Sequence, residues 1–304
     1  MFKKVLSGLL ALVMVISLSA CGGSKDSNKE ITLLKGQFSE ITIIMEMAKI
    51  MIENETDLTV KYHDSMATVA ASKSLINKDV DLYVSYDGTY LATILGGDPS
   101  EAPEGESLWD YTNKRGIDEK GLSLLNKFGF ENTYAIAVKD DYAKENNIET
   151  VSDLVPLSKD IVFGAEHEFF DKDGTVRMGP LNEYYGFKWK DTKSLDIGLK
   201  YSSIDSNNIG AVLVYSTDGL NKKSNLKVLE DDKKFFPEYN AGFFMRDSLF
   251  EEYKDAAPNL EEVLNKLTGK IDSETMIELN YQVDAEKKDV HEVALKFLED
   301  NGLV

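Results

Sequence analysis

Tyrosine is the residue type whose number and placement in this chain most clearly suggest a chemistry. The sequence has 14 Tyr in 304 residues, and several stand at predicted strand ends or in loops: Tyr86, Tyr111, Tyr134, Tyr201 and Tyr215. Tyr rings attract a quaternary ammonium group by cation–π interactions worth about 0.5–2 kcal/mol each. Because strand ends of α/β proteins line ligand clefts, we predict an aromatic cage for such a solute. Any one Tyr taken alone is more simply explained by half-buried packing.

The residues that usually carry catalysis or bind metals form no recognisable pattern. The three His have no partner at metal-binding or catalytic spacing. A calcium-like loop opens at Asp205, but Ile209 stands at its fifth position and Ser216 where a bidentate Glu is needed. With no phosphate loop, dinucleotide motif or nucleophile elbow, we predict no metal, no cofactor and no enzymatic activity. The competing enzyme hypothesis uses Glu166 and Glu168, which a strand places on one face.

The charge balance excludes other kinds of partner. Asp and Glu number 53 against 34 Lys and Arg, which gives a formal charge of −19. Nucleic-acid binding needs basic side chains for phosphate contacts, so we expect no nucleic-acid partner. The apolar content of 42% fits neither a disordered chain nor a polytopic membrane protein. The length indicates about two domains.

The N-terminal segment has the pattern of an export signal. Lys3 and Lys4 precede a short apolar run that ends in Leu18-Ser19-Ala20-Cys21. This run is too short to span a membrane, and its ending resembles the bacterial lipobox, in which the Cys becomes lipidated. We predict a signal peptide over residues 1–20, a lipid anchor at Cys21 and a flexible tether over residues 21–30. The protein is then expected at the extracytoplasmic face of the cell membrane.

The remaining chain alternates short apolar runs with helical periodicity, which is typical of α/β layering. These elements position the candidate residues: Tyr86 ends a strand, Ser39 caps a helix and Thr68 stands at the start of another helix. The predicted strands are 31–34, 58–62, 80–86, 132–138, 161–164, 196–199 and 211–215. The predicted helices are 39–51, 66–77, 151–157, one starting near Pro258 and a last one stopping at Asn301-Gly302.

Seven segments of the chain form a characteristic series: 81–89 (DLYVSYDGT), 128–135 (FGFENTYA), 163–170 (FGAEHEFF), 196–201 (DIGLKY), 215–219 (YSTDG), 231–237 (DDKKFFP) and 286–289 (EKKD). In this order they resemble the substrate-binding lipoproteins of osmoprotectant ABC importers, which carry quaternary amines such as glycine betaine, choline and carnitine. The resemblance covers nearly the whole chain after the signal peptide.

This resemblance implies an α/β fold of the periplasmic-binding-protein type II, with two lobes and the ligand in the cleft between them. Lobe I would comprise residues 30–133 plus 237–304, and lobe II residues 134–236. The implied partners are a quaternary ammonium solute and a membrane permease. The implied ligand-binding residues are Gln37, Thr68, Tyr86, Tyr111, Asn132, Tyr201 and Tyr215.

Some of these assignments have alternatives. Gln37 and Thr68 lie near helix N-termini, which suit a ligand carboxylate or hydroxyl, but they can equally be ordinary capping residues. Asn132 can instead be a hinge residue. Asp87 replaces the Thr that is common in the family; facing the cleft it would favour a cation such as choline, and otherwise it caps a turn. Ergothioneine is an alternative ligand, and a scaffolding lipoprotein that binds no small molecule is an alternative function.

Overall fold

The computed structural model describes residues 29–172, 175–196 and 199–304. The predicted signal peptide and Cys21 lie outside the described residues. The described chain forms two five-stranded mixed sheets. The first sheet, in the order β2-β1-β3-β10-β4, contains β1 (Glu30–Leu34), β2 (Thr59–His63), β3 (Leu82–Tyr86), β4 (Leu122–Glu131) and β10 (Asn240–Arg246). The second, in the order β7-β6-β8-β5-β9, contains β5 (Tyr134–Lys139), β6 (Val162–Glu166), β7 (Asp191–Leu195), β8 (Ala211–Tyr215) and β9 (Leu226–Val228).

Helices connect and cover these strands. The helices are α1 (Ser39–Glu55), α2 (Thr68–Asn77), α3 (Asp87–Thr89), α4 (Leu108–Lys120), α5 (Asp140–Asn146), α6 (Val151–Leu154), α7 (Met178–Tyr185), α8 (Lys200–Asp205), α9 (Gly219–Lys223), α10 (Leu249–Tyr253), α11 (Leu260–Asn265), α12 (Ser273–Asp284) and α13 (Val290–Asp300). Tyr90–Leu95 is π-helical, and Pro99–Glu101, Val155–Asp160 and His167–Phe170 are 3-10 segments. Among the described residues, no helix is both long and apolar enough to cross a membrane.

Continuous apolar sequence places β3 and β10 in the middle of the first sheet. Every residue of both strands is buried. They pair antiparallel, with Ala241 opposite Tyr86 and Met245 opposite Leu82. Helix α1 adds a long Ile- and Met-rich face to the same core. The edge at which Tyr86 ends is therefore rigid, because the strand that carries it is enclosed on both sides and both faces.

The chain crosses between the two sheets twice, and the two crossing segments bond to each other. The first crossing lies between β4 and β5, and the second between β9 and β10. The Asn132 backbone N–H donates to the Tyr239 carbonyl (3.0 Å), and the Thr133 hydroxyl donates to the Pro237 carbonyl (2.9 Å). The segments thus form one paired connection rather than two independent linkers.

Most of the predicted elements are present, but β4, β9 and β10 are not among the predicted strands, and three placements differ. The strand predicted at 196–199 includes residues 197 and 198, which lie outside the described residues. The nearest strand spans Asp191–Leu195, a polar edge strand whose exposed side chains give no apolar signal. Tyr111, expected in a loop, lies in α4, which Ser107 caps at its N-terminus. Ser39 is the first residue of α1 rather than its cap, and its hydroxyl donates to the Asp284 carboxylate.

Candidate functional site

Three adjoining cavities are lined by residues of β3 and its surroundings, by the two crossing segments and by the adjoining ends of β5 and β8. The first-sheet pocket, about 160 Å³, is lined by residues that include Gln37, Phe38, Thr68 and Tyr86. The crossing pocket, about 410 Å³, has as lining residues Phe38, Ser39, Glu40, Asn132, Tyr215, Thr217, Asp218, Asn280 and Asp284. The tyrosine pocket, about 430 Å³, has as lining residues Asn132, Thr133, Tyr134, Thr175, Val176, Arg177, Tyr215, Pro237 and Tyr239. Shared lining residues join the three cavities into one cleft.

Three tyrosines meet in the tyrosine pocket because of local backbone geometry. Tyr134 and Tyr215 are directly opposite each other in the antiparallel pair β5–β8, and their rings stack with centroids 5.1 Å apart. Tyr239 comes from the second crossing and lies against Gly88, where an added Cβ would be only 2.8 Å from the Tyr239 ring. Gly88 thus leaves space for this third ring. The pocket combines two rings of the second sheet with one from the return crossing.

Arg177 supplies a positive charge to the same pocket. Its Nη1 donates to the Val176 carbonyl (2.8 Å), and its Nε is buried without a hydrogen-bond partner. No carboxylate among the described residues pairs with it, whereas Arg115 and Arg246 each pair with two. An arginine that no described carboxylate pairs with has hydrogen-bonding capacity left for an anionic group.

Glu40 is the centre of a buried hydrogen-bond cluster between the cavities. It is 1% exposed and accepts hydrogen bonds from the Tyr86 hydroxyl, Asn132 Nδ2 (3.0 Å) and Asn280 Nδ2 (3.4 Å). Burial raises the pKa of Glu40, and hydrogen bonds from Thr217 and these three side chains oppose that rise. Asn280 also donates to the Thr217 carbonyl (2.8 Å), so this cluster joins α1 and α12 to the segment after β8.

An ion pair between a fully buried lysine and a partly exposed glutamate lies beside Tyr215. Lys200 is 0% exposed, and its Nζ is 2.7 Å from Glu166 Oε1. The same ammonium lies 5.1 Å from the Tyr215 ring centroid and 5.3 Å from that of Tyr201. The second sheet therefore already contains one cation–π arrangement made by its own side chains.

The structure brings five of the seven predicted ligand-binding residues to the cleft. Gln37, Thr68 and Tyr86 line the first-sheet pocket, and Asn132 and Tyr215 line the other two cavities. Gln37 is exposed and its Nε2 donates to the Met66 carbonyl. The Tyr86 hydroxyl is engaged with Glu40, so only part of its ring borders the pocket.

Tyr201 and Tyr111 are not among the residues that line the three cavities. Tyr201 is 6% exposed, and its hydroxyl donates to Asp218 and to Asn221 Oδ1 (3.1 Å). Tyr111 lies on α4, where its hydroxyl contacts Glu101 (3.3 Å). Both side chains are accounted for by packing and internal hydrogen bonds in this structure.

Asp87 does not face the cleft. It is 0% exposed and accepts hydrogen bonds from the Gly88 N–H (2.7 Å) and from the Asn240 backbone N–H and Nδ2 (both 2.9 Å). Burial raises its pKa to about 6, and these hydrogen bonds limit the rise. The contacts of Asp87 therefore fit the alternative role, in which it holds a turn. A carboxylate buried in this way gives no reason to expect a cationic ligand.

Sequence reasoning missed Glu40, Arg177 and Tyr239. Glu40 lies within the Gln37-Phe38-Ser39-Glu40 turn, but nothing local indicates its burial. Arg177 carried a signal, since it is one of only three Arg in the chain. Tyr239 also carried one, since it follows Pro237 at the return crossing.

A larger groove, about 900 Å³, lies outside this cleft, between α9 and β9 on one side and α12 and α13 on the other. Its walls carry both charges: Lys222 pairs with Glu278, and its Nζ lies 4.7 Å from the Tyr281 ring centroid. The contact of α9 with α12 separates the groove from the crossing pocket. There an added Cβ at Gly219 would be 2.4 Å from the Tyr281 backbone nitrogen.

Two β-sheets that are covered by helices and joined by paired crossings, with an aromatic cleft at the crossings, define a solute-binding protein of the periplasmic type. Within the described ranges, no group of three or more His, Cys, Asp and Glu side chains is placed to hold a metal. Residues 29–300 match the family OpuAC, described as the substrate binding domain of an ABC-type glycine betaine transport system. The chain belongs to this family, and the predicted family and fold are confirmed.

Individual relatives agree with this assignment. The chain is 32% identical over 312 residues to the carnitine transport binding protein OpuCC of Listeria monocytogenes, covering 99% of this chain and 98% of that protein. It is 38% identical over 236 residues to the ergothioneine transport permease/ergothioneine binding protein EgtU of Helicobacter pylori, covering 78% and 41%. A solved glycine betaine/carnitine/choline ABC transporter structure superposes with a TM-score of 0.83 at 30% identity, covering 90% and 98%.

Proposed function

We propose that this protein is a lipid-anchored, extracytoplasmic receptor that binds a quaternary ammonium solute between its lobes and delivers it to an ABC importer permease. Lobe I is assigned to residues 30–133 plus 237–304 and lobe II to residues 134–236. Lipid attachment at Cys21 would keep the receptor near its permease. This function requires no covalent chemistry, because the solute favours the closed state by binding it more tightly.

The observation that carries this proposal is the tyrosine pocket. Tyr134, Tyr215 and Tyr239 supply aromatic surface on a cavity large enough for a small solute. Three rings at about 0.5–2 kcal/mol each provide much of the roughly 8 kcal/mol that a micromolar dissociation constant requires. Gln37, Thr68 and Tyr86 in the first-sheet pocket would contact the other end of a longer solute.

Arg177 favours a solute that also has a carboxylate. Arg177 is a lining residue of the tyrosine pocket, and no described carboxylate pairs with its guanidinium. A carboxylate bound there would form charge-assisted hydrogen bonds, worth about 1.5–3 kcal/mol. A zwitterion such as carnitine, glycine betaine or ergothioneine is therefore expected to bind more tightly than choline. The names of the Listeria and Helicobacter relatives, which refer to carnitine and ergothioneine, are consistent with this order.

The Glu40 cluster would help to stabilise the closed arrangement of the two lobes. Glu40 and Asn280 belong to lobe I elements, whereas Thr217 follows β8 in lobe II. The Asn280–Thr217 hydrogen bond would therefore connect the two lobes at the crossing pocket, which both residues line. Each such bond adds a modest stabilisation of the closed state, about 1 kcal/mol.

Calorimetry of residues 22–304, a soluble form without the lipid, tests the function directly. The candidate solutes are choline, glycine betaine, carnitine, proline betaine and ergothioneine. We expect at least one dissociation constant in the micromolar range or below. If none binds more tightly than about 1 mM, near 4 kcal/mol, the proposal fails. Incubation with the same solutes should yield no product, and turnover would instead support the enzyme hypothesis based on Glu166 and Glu168.

A further inference from the structure

The Lys200–Glu166 pair places a charged ammonium group in the interior of the second lobe, which is unusual. Lys is rarely buried completely, yet Lys200 is 0% exposed. Its ammonium is 2.7 Å from Glu166 Oε1, while Glu166 Oε2 is buried without a partner. Because hydrophobic residues often replace a buried ion pair at no loss of stability, the pair needs an explanation other than stability.

The position of the pair supplies that explanation. Lys200 Nζ lies 5.1 Å from the centroid of Tyr215, a ring that lines both the crossing and tyrosine pockets. A solute cation that uses this ring lies within about 6 Å of the same centroid. It is then within about 11 Å of the Lys200 ammonium. At that separation and an effective dielectric constant near 20, one unit charge changes the affinity for another by about tenfold.

We propose that Glu166 and Lys200 neutralise each other beside Tyr215, so that neither charge acting alone decides which solutes the site accepts. Glu166 cancels the repulsion that Lys200 would exert on a solute ammonium. Lys200 in turn cancels the attraction that Glu166 would exert on any cation, so that selection is left to the rings and Arg177. This inference rests on the proposed function. Both are positioning residues, since they act on the solute through Tyr215 and through space.

Other charges near the rings stay unchanged in the test. Burial raises the pKa of the Tyr215 hydroxyl most, and its contact with Tyr134 and the charges of Glu166 and Glu168 raise it further. Asp218 accepts a hydrogen bond from Tyr201. A change confined to Glu166 or Lys200 therefore alters the field at the site by one unit charge without removing a ring.

The experiment compares choline with 3,3-dimethylbutan-1-ol, a neutral analogue in which carbon replaces the nitrogen, at low ionic strength. Calorimetry is done on the wild type, Glu166→Gln, Lys200→Met and the double variant. We expect Glu166→Gln to weaken choline binding about tenfold and Lys200→Met to strengthen it. The double variant should return to within about threefold of the wild type. Binding of the neutral analogue should change by less than about twofold throughout.

The outcomes separate charge selectivity from packing and from the proposed function. If both single variants weaken choline binding, or if the neutral analogue changes as much as choline, the pair only supports the rings and the inference is overturned. If Lys200→Met does not fold, the double variant decides, because it must restore the affinity that Glu166→Gln loses. If the wild type binds none of the quaternary ammonium solutes, the proposed function fails first.

Discussion

Asp87 and Asn240 are joined by two hydrogen bonds, from the backbone N–H and from Nδ2 of Asn240, although they are 153 residues apart in the chain. The bonds connect the turn after β3 with the first residue of β10. They fix the Asp87-Gly88 backbone against which Tyr239 packs. The buried Asp87 carboxylate thus fixes the backbone beneath the Tyr239 ring, although Asp87 itself does not line the tyrosine pocket.

Stability should depend on pH through Asp87. Because burial raises its pKa to about 6 in the folded protein, against an ordinary value of 3.8, the group holds its proton more tightly when folded. Its contribution is fully present below pH about 4 and is lost as the pH rises through about 6, a change of about 3 kcal/mol. Urea unfolding should show that the wild type loses unfolding free energy relative to Asp87→Asn as the pH rises through this range. A constant difference would contradict the prediction.

Gly219→Ala should disturb the contact of α9 with α12. A Cβ added at Gly219 would be 2.4 Å from the Tyr281 backbone nitrogen and 2.6 Å from the Asn280 carbonyl carbon. Both are backbone atoms, which cannot rotate away as a side chain can. We expect a loss of about 1–3 kcal/mol in unfolding free energy and weaker solute binding. Gly179→Ala in α7 is the matched control, since no atom lies within 4 Å of its added Cβ. Equal effects in the two variants would show that the α9–α12 contact is not tight.

Removal of single rings should distinguish the cage from packing. Tyr239→Leu and Tyr215→Leu should each weaken binding of a quaternary ammonium solute about three- to thirtyfold, because each removes one cation–π contact. Tyr111→Leu should leave the affinity within about twofold, since that side chain lies on α4 and contacts Glu101. Calorimetry measures the affinities and thermal unfolding monitors the fold. A loss of binding in Tyr111→Leu alone would support the predicted ligand-binding role of Tyr111 and contradict the role proposed for Tyr215 and Tyr239.

Arg177→Gln should change which solutes are preferred. Without the guanidinium, carnitine and glycine betaine should bind about ten- to a hundredfold more weakly, whereas choline should change little. Arg115→Gln is the control, since Arg115 pairs with Glu101 and Glu119 away from the pocket. The ratio of zwitterion to choline affinity is the decisive quantity. A parallel loss for all three solutes would assign Arg177 a structural role.

Glu40→Gln should destabilise the protein although the two side chains have nearly the same shape. Glu40 accepts hydrogen bonds from Tyr86, Asn132 and Asn280, and an amide NH₂ placed among these donors leaves at least one without an acceptor. The expected loss is about 1–3 kcal/mol in unfolding free energy. Glu53→Gln, on the same helix but 38% exposed, should cost far less. If the two variants are equally stable, Glu40 does not organise this cluster.

The sequence was sufficient for the family and for most strands that carry candidate residues, but not for β4, β9 and β10 or for long-range neighbours. Tyr86 and Tyr215 could be placed at strand ends, because apolar runs and turn residues define those ends locally. Tyr201 was expected in the cage, yet its hydroxyl donates to Asp218, a partner 17 residues away that no periodicity indicates. The burial of Glu40 likewise depends on Asn280, 240 residues further along the chain.

Strand β10 has a consequence for the order in which the protein folds. The strand lies between β3 and β4, so the first sheet cannot close until residues 240–246 have been synthesised and docked. All strands of the second sheet, by contrast, come from one continuous stretch that ends at Val228. Because pairings distant in sequence form slowly, we expect the second sheet to form first, while the unit of β1, β2 and β3 still lacks its pairing with β10. The first sheet would then be completed when residues 240–246 dock between β3 and β4.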